Sequence, residues 1–490
     1  MRPRDLYSEG RLTDCLEATE RSSVMKDRIL RVRALMRLGK YQRALDEVVE
    51  LRPTTSDEDA LLRALESVCH SLAGSAEMAR RVLAQVRPQE LPLAVQFEIA
   101  YARFLIGWSQ GSIESMEAAL ASVDVESEPT LYGSWLYASS WLAGAQERYA
   151  DQVVLLERAC KHVSEHPEAR DVTLLAHATQ SLTHLVREIA APEAYEFVQQ
   201  MAETLPWTDD LKTERFLTLR GLAWANALRG SHERALEYAY ASRDLAPSQR
   251  WITACYADQA YLARMAGQQC SAEAMLRHAV KNALAMDWQC TSEERIALLN
   301  LIELTVDDDL EGAQRLLTLY DEITAPLAKR LALAHDRRLK AMENYVRGGV
   351  YAAAGRRFDA IELLREAYFT FESIQYGWRA ASAAMLLHSI TDDRTWLQRA
   401  GEAVAGFSES SVARDIQRRA AALDDTRLSS MTRAQRRVFD LLCEGLPDKA
   451  IAESLGISPE TVKNHAAKVR SIFGVRSRSA LIATMHQKSA

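Results

Sequence analysis

A phrase that recurs along the chain constrains its fold more than any other sequence feature. The segments LGKYQRALDEVVELRP and AGSAEMARRVLAQVRP both place alanine five positions after a glycine and proline fourteen positions after it, and their glycines are 35 residues apart. A repeat of this length is typical of stacked helix pairs. The matching positions are Gly39, Ala44 and Pro53 in the first copy and Gly74, Ala79 and Pro88 in the second, and looser copies follow at Gly111, Gly144, Gly230, Gly267 and Gly355.

The residue types indicate how each copy folds. Glycine ends one helix in a left-handed conformation, the next helix packs back with alanine at the close contact, and proline closes the unit. Each pair leaves one apolar face uncovered, and stacking of the pairs buries these faces in a continuous core with a concave inner surface. The chain holds 20 glycines and 12 prolines in 490 residues, which is too few for a turn-rich all-β fold. We therefore predict an all-α fold.

The first copies resemble the tetratricopeptide repeat (TPR), with Gly39, Tyr41, Ala44 and Pro53 at its pattern positions. The resemblance implies a TPR-like α-solenoid over residues 5–424, which acts as a sensor or interaction region. We expect roughly nine or ten helix pairs in this region, with a repeat that lacks the glycine in each of the two widest gaps between copies.

Aromatic residues cluster along the predicted solenoid. A concave groove lined by them would hold a peptide, a protein or a small-molecule ligand. The simpler alternative is that they pack between neighbouring helices, since solenoid helices bury aromatic side chains at helical spacing. We favour packing for any single residue and predict no specific pocket. The clusters contain Tyr101, Phe104 and Trp108; Tyr132, Trp135, Tyr137 and Trp141; Trp251, Tyr256 and Tyr261; and Tyr368, Phe369, Phe371, Tyr376 and Trp378.

Motifs that would indicate an enzyme are absent from the sequence. It contains neither a GxxxxGK[ST] loop for a nucleotide phosphate nor a GxSxG segment for a nucleophilic serine. His162 and His166 are four residues apart, which on a helix places both imidazoles on one face, but no third metal ligand accompanies them. A solvated helix end is the better interpretation. We therefore predict no enzymatic activity, no metal and no cofactor.

The cysteine count and the hydropathy pattern point to one compartment. Seven scattered cysteines form no CxxC pair, so neither a disulfide framework nor a thiolate zinc site is indicated. No run of about 18 apolar residues occurs, and no apolar stretch follows the charged N-terminus. We expect a cytoplasmic protein without a membrane partner.

Charge divides the chain into two unequal parts. The segment 428–490 holds ten Lys and Arg against five Asp and Glu, a balance of +5, whereas the preceding 427 residues carry −12. A small basic segment attached to a large acidic one indicates that only this segment meets an anionic polymer. The repeat pattern stops at AALDDTRLSS, so we predict a polar linker at 425–430 and a separate domain at 431–490.

The segment 431–490 predicts four short helices. Thr432 caps the first helix, Pro447 stands in the first turn of the second, and Ser477 caps the fourth. The third helix follows a turn at Gly456 and runs from Pro459 to Phe473. A helix, a tight turn with glycine and a serine-capped second helix form a helix-turn-helix, in which the second helix enters the major groove of DNA.

Polar and basic residues occupy the outward side of this motif. A charged solvated face would use the same residue types, but the capped motif and its positive balance favour DNA contact. We predict contacts to base edges from one set of residues and contacts to phosphates from another. The first set is Thr461, Lys463, Asn464 and His465, and the second is Lys449, Lys468, Arg476 and Arg478.

The segment MTRAQRRVFDLLCEGLPDKAIAESLGISPETVKNHAAKVRSIFGVRSRSALI closely resembles the LuxR (GerE) type DNA-binding domain of bacterial transcription regulators. The resemblance implies sequence-specific binding to duplex DNA, usually as a dimer through the final helix. It also places Lys463 and Asn464 at base edges and Lys449 on phosphate. The sequence departs from the family pattern at Gln435, Arg436, Asp448 and Ala467, so the operator sequence does not carry over.

We therefore predict a bacterial transcription regulator in which the solenoid receives a signal and the C-terminal domain binds promoter DNA. Its expected partners are double-stranded promoter DNA, a second copy through the C-terminal domain, RNA polymerase, and a ligand in the solenoid groove. The hypothesis for control is a population shift: the acidic solenoid blocks the basic domain until a signal favours the open form. The alternative is a protein-protein adaptor whose tail only localises it to DNA.

Overall fold

The structure is a computed structural model that describes residues 1–86, 90–188, 192–288, 292–325 and 337–486. These residues form helices and contain no strand, as the all-α prediction requires. None of the described helices is long and apolar enough to cross a membrane. The chain divides into two compact units, Met1–Ala413 and Arg414–Ala490.

The first unit is a row of helices of 6 to 18 residues. In the described part of this unit, three short 3-10 turns interrupt the connections: Pro167–Ala169, Asp209–Leu211 and Ala405–Phe407. The α-helices described in this unit are α1 (Pro3–Ser8), α2 (Leu12–Thr19), α3 (Met25–Arg37), α4 (Tyr41–Glu50), α5 (Ser56–Leu72), α6 (Ala76–Leu83), α7 (Leu93–Gln110), α8 (Ile113–Ala121), α9 (Pro129–Ala145), α10 (Tyr149–Glu165), α11 (Val172–Glu188), α12 (Pro192–Thr204), α13 (Lys212–Leu228), α14 (His232–Leu245), α15 (Gln249–Met265), α16 (Gln269–Ala283), α17 (Ser292–Thr305), α18 (Leu310–Thr324), α19 (Arg337–Ala353), α20 (Arg357–Ser373), α21 (Gly377–Thr391) and α22 (Arg394–Ala403).

Consecutive helices pack as pairs, and the pairs stack on one another. Within the described ranges there are eleven pairs, from α1 with α2 to α21 with α22, slightly more than the nine or ten expected. The first helices of successive pairs are also in contact. For example, α15 contacts α17, and α17 contacts α19. The pairs α11/α12 and α17/α18 lie in the two widest gaps between glycine copies, from Gly144 to Gly230 and from Gly267 to Gly355. The first unit is therefore a TPR-like helical solenoid.

The repeated glycines and small residues take the predicted positions in most copies. Gly39, Gly74, Gly111, Gly230, Gly267 and Gly355 all have φ between +66° and +82°. The residue five positions later is fully buried in each case, as at Ala44, Ala235 and Ala360. Pro88 lies outside the described residues.

Gly144 does not fit the prediction of a turn glycine. It lies inside α9, and the left-handed residue after that helix is Glu147, with φ of +58°. A Cβ atom at Gly144 would come within 2.8 Å of the Gln152 side chain. The absence of a side chain therefore lets α9 and α10 approach closely, which is a different use of glycine from that in the other copies.

Most of the aromatic residues named from the sequence pack inside the solenoid. Phe104, Tyr368 and Phe371 are among the largest fully buried side chains. Trp108 is 46% exposed and lies against Trp141, with 5.1 Å between ring centroids. His162 and His166 stack with centroids 4.2 Å apart and hydrogen bond to backbone carbonyls. Packing therefore accounts for these side chains.

The second unit contains five helices in the part of it that is described. They are α23 (Ser411–Ser430), which begins three residues before the boundary between units, α24 (Arg433–Cys443), α25 (Asp448–Leu455), α26 (Pro459–Phe473) and α27 (Arg478–His486). The segment 425–430, expected to be a polar linker, is helical and forms the end of α23.

Candidate DNA-binding site

A small apolar core fixes the relative positions of α24, α25 and α26. Val438, Ile451 and Val462 come from these three helices and are completely buried. Phe439 of α24 stacks on Phe473 of α26 with ring centroids 5.1 Å apart and an interplanar angle of 3°. The core therefore packs the apolar face of α26 against the two supporting helices and leaves the opposite face outward.

Local signals set the ends of α24 as predicted. The Thr432 hydroxyl accepts a hydrogen bond from the backbone N–H of Gln435, and the Gln435 side chain accepts one from the backbone N–H of Thr432 at 2.8 Å. This reciprocal pair satisfies two amide groups that a helix start leaves without partners. Gly445, with φ of +83°, turns the chain after the helix.

The turn between α25 and α26 also follows from single residues. Gly456 has φ of +67° and ends α25. Ser458 accepts a hydrogen bond from the backbone N–H of Thr461 at 3.1 Å, and Pro459 occupies the first helical position of α26. The predicted helix from Pro459 to Phe473 is confirmed at both ends. Pro447 differs slightly from expectation, since it precedes α25 as its N-cap and the helix begins at Asp448.

The faces of α26 separate the core from the solvent. Val462, Ala466, Val469 and Phe473 form the buried stripe. With about 100° of rotation per residue, Asn464 lies almost opposite that stripe, and Lys463 lies about a quarter turn from it. A protein helix enters the major groove with such an exposed face towards the bases.

The candidate base-reading side chains differ in their exposure and in the contacts that they already make. Lys463 and Asn464 are exposed, and the Lys463 ammonium lies 3.8 Å from the Glu460 carboxylate. His465 is half-buried. Thr461 is half-buried as well, and its hydroxyl lies 2.8 Å from that of Ser458. The exposed amide and ammonium are therefore the groups that are most accessible to a base edge.

The candidate phosphate contacts fall into two groups. Lys449, Lys468 and Arg476 are exposed. Arg478 instead donates to Asp448 at 2.8 Å and to the backbone carbonyl of Leu446. It thus ties the start of α27 to the start of α25. This internal role was not predicted from the sequence, although the acidic residue at position 448, beside Lys449, was a signal for it.

The last helix is held by the same kinds of contact. Ser477 accepts a hydrogen bond from the backbone N–H of Ala480 at 3.0 Å, as predicted for a cap, and Leu481 is completely buried in the core. Glu460, which was not among the predicted site residues, is exposed at the start of α26. Its carboxylate favours the helix N-terminus but opposes approach to phosphate.

Comparison with known proteins identifies this arrangement. Residues 429–485 match the family of bacterial regulatory proteins, luxR family (GerE). The spore germination protein GerE of Bacillus subtilis (strain 168) is 41% identical over 49 residues, which are 10% of this chain and 66% of that protein. The C-terminal part of the chain is therefore a LuxR-type helix-turn-helix domain.

Solved helical-repeat proteins are similar to the chain at lower identity. The apo form of RapI is 10% identical, with a TM-score of 0.46, and the alignment covers 75% of this chain and 97% of that one. The apo form of the quorum sensor NprR from B. thuringiensis is 13% identical, with a TM-score of 0.42 and coverage of 79% and 97%. The helix pairing described above, and not these similarities, defines the repeat region.

Proposed function

We propose that the chain is a bacterial transcription regulator that binds specific duplex DNA through α26 and is controlled by a signal received in the solenoid. The observation that carries the proposal is the LuxR-type domain, in which Asn464 lies on the face of α26 opposite its core and Lys463 is exposed beside that face. An exposed amide and an ammonium on that face supply hydrogen-bond donors for adenine and guanine edges.

The charge distribution supports the same proposal. The basic segment 428–490 carries +5 and the remainder of the chain −12, so attraction to the phosphate backbone concentrates in the domain that holds the motif. Lys449, Lys468 and Arg476 provide exposed cations next to α26 for positioning contacts. We further propose that the domain binds as a homodimer to an inverted repeat, with half-sites about one helical turn apart.

Control by the solenoid is the second half of the proposal. A ligand or partner that binds one state of the full chain more tightly shifts the population towards that state. The opposite charges of the two regions supply a reason for a state in which DNA binding is suppressed. This proposal requires that the free DNA-binding state gain population when the signal is present.

The test is an in vitro selection of duplex DNA from a random library with the full chain. We expect one enriched motif and an affinity for it at least a hundredfold above that for a scrambled duplex. The variant with Lys463→Ala and Asn464→Ala loses this preference but keeps salt-dependent binding. Lys26→Ala, which removes an exposed lysine of α3, serves as the control. No enriched motif, or a preference unchanged in the double variant, contradicts the proposal and favours the adaptor alternative.

A further inference from the structure

Glu460 places a negative charge on the face of α26 that carries the candidate base-reading groups. It stands in the first turn of the helix, and its side chain is 75% exposed. At about 100° per residue, Glu460 lies about 150° from the buried stripe and about 40° from Asn464. Lys463 lies only about 90° from that stripe. Glu460 is therefore closer to the centre of the outward face than Lys463 is.

The backbone that carries Glu460 is held by its neighbours before any DNA arrives. Pro459 occupies the first helical position, where its ring restricts the φ angle. Ser458 accepts a hydrogen bond from the backbone N–H of Thr461 at 3.1 Å, and Val462 is completely buried in the core. A fixed Cα position lowers the entropy cost of placing the carboxylate against one base.

A carboxylate that faces DNA also needs a compensating positive charge, because the phosphates repel it. Lys463 supplies this charge, since its ammonium lies 3.8 Å from the Glu460 carboxylate. The two side chains together bring no net negative charge to the groove. The carboxylate can therefore approach the bases beside Lys463, although it would be repelled on its own.

The chemistry of a carboxylate selects one base in the major groove. An ionised carboxylate only accepts hydrogen bonds. Guanine presents the acceptors N7 and O6 there, thymine presents O4, and adenine places the acceptor N7 beside its amino group. Cytosine presents the N4 amino donor without such an acceptor. A carboxylate on the outward face therefore favours cytosine and rejects the other bases.

The spacing of the two charged residues along α26 matches the spacing of base pairs. Three residues of an α-helix rise about 4.5 Å, and successive base pairs are about 3.4 Å apart. An ammonium donates to the O6 and N7 acceptors of guanine. Glu460 and Lys463 can thus contact neighbouring base pairs from one turn of the helix.

We propose that Glu460 determines specificity for cytosine, because its carboxylate accepts a hydrogen bond from the cytosine N4 amino group. The cytosine belongs to the base pair next to the one that Lys463 contacts. This inference rests on the proposed function, in which α26 reads the major groove, and deepens it by assigning one further residue and the base that it recognises.

The test is selection of duplex DNA from a random library by the full chain and by Lys463→Ala, Glu460→Gln and Glu460→Ala. The motif of the unaltered chain should contain a cytosine beside the position whose preference Lys463→Ala removes. Glu460→Gln keeps the size of the side chain but adds a donor, so the preference there should shift towards adenine. Glu460→Ala should remove the preference.

Both substitutions at Glu460 should reduce about tenfold the discrimination between the selected duplex and one in which that cytosine is replaced. The other positions of the motif should stay unchanged. Glu453→Gln makes the same chemical change at an exposed residue of α25, and this matched control should keep the cytosine.

Three results would overturn the inference. They are a motif without cytosine at that position, a cytosine preference that survives in both Glu460→Gln and Glu460→Ala, and an equal loss of the preference in Glu453→Gln. The second result would mean that the carboxylate only stabilises the N-terminus of α26, a role that affects thermal unfolding and not base preference. Failure of the proposed function is distinguishable, because the unaltered chain then selects no motif at all, and this inference fails with it.

Discussion

Burial controls the chemistry of the cysteines in the solenoid. Cys15, Cys69, Cys160 and Cys255 are at most 1% exposed. Desolvation raises the pKa of Cys15 to about 11 and the pKa of the other three to about 12, from an ordinary value of 9.0. These thiols are therefore protonated at neutral pH, and the thiolate that reacts with electrophiles is scarce.

We predict that, among the six cysteines in the described ranges, iodoacetamide at pH 8 labels Cys270 first and spares the four buried cysteines until the chain unfolds. Cys270 is exposed and Cys443 is half-buried, and peptide mapping by mass spectrometry distinguishes them. The raised pKa values also make the free energy of unfolding depend on pH. The contribution of the buried thiols to stability is fully present below pH 9 and is lost as the pH rises towards 11 and 12. Rapid labelling of Cys69 or Cys160 in the native chain would contradict the structure.

Ser458 decides where α26 begins. Its hydroxyl satisfies the backbone N–H of Thr461, so Ser458→Ala should destabilise the C-terminal unit by about 1 kcal/mol. Amide hydrogen exchange of the α24 to α26 core should then accelerate about fivefold. Ser471→Ala, which removes an exposed hydroxyl from the same helix, is the control. Equal exchange rates in the two variants would show that the cap does not stabilise the domain.

At the scale of elements, a buried ion pair joins α13 to α15. Arg220 and Asp258 make two hydrogen bonds, and their side chains are 7% and 4% exposed. Removal of one partner leaves the other charge buried, so Asp258→Ala should cost about 3–5 kcal/mol. We expect a lower midpoint for urea unfolding of the solenoid.

The comparison variant for this pair is Asp244→Ala, whose side chain is 74% exposed beside Arg243. A solvated pair contributes about 0–1 kcal/mol, so the midpoint should hardly move. The double variant with Arg220→Met and Asp258→Leu should recover much of the lost stability, because it removes both charges together. A midpoint that falls equally in Asp258→Ala and Asp244→Ala would refute this account of the pair.

The elements that the sequence predicted best are those with strong local signals. In the C-terminal domain, glycine, proline and serine fix helix ends within one turn, and both ends of α26 were predicted correctly. In the solenoid, position 144 is also a glycine, but it does not end a helix. It allows the close approach of α9 and α10, which depends on tertiary packing and is not signalled by the local sequence. The pairs α11/α12 and α17/α18 lack the glycine signal, and only the spacing indicated them.

The candidate sites show the same limit. Exposure of Lys463 and Asn464 follows from helical periodicity, whereas the contacts of Arg478 with Asp448 and Leu446 join residues about thirty positions apart. Sequence patterns report neighbours along one element, and a contact between elements requires their packing to be known.

At the scale of the whole molecule, the chain joins an acidic helical solenoid to a basic LuxR-type domain. In the proposed function, this separation of charge and of folding units lets one part receive a signal and the other bind DNA. The enzymatic and adaptor alternatives make different predictions, because neither requires that DNA occupancy change the transcription of neighbouring genes. Occupancy and transcript levels must therefore be measured together.

The most direct test is genome-wide DNA occupancy of the tagged full chain, with transcript levels from the same cultures. The comparison strain carries Lys463→Ala and Asn464→Ala. We predict sharp peaks over a shared inverted repeat, which disappear in the variant, together with altered transcription of the adjacent genes. Diffuse occupancy that is the same in both strains, or peaks without any change in transcription, would contradict the account of the chain as a regulator that reads DNA through α26.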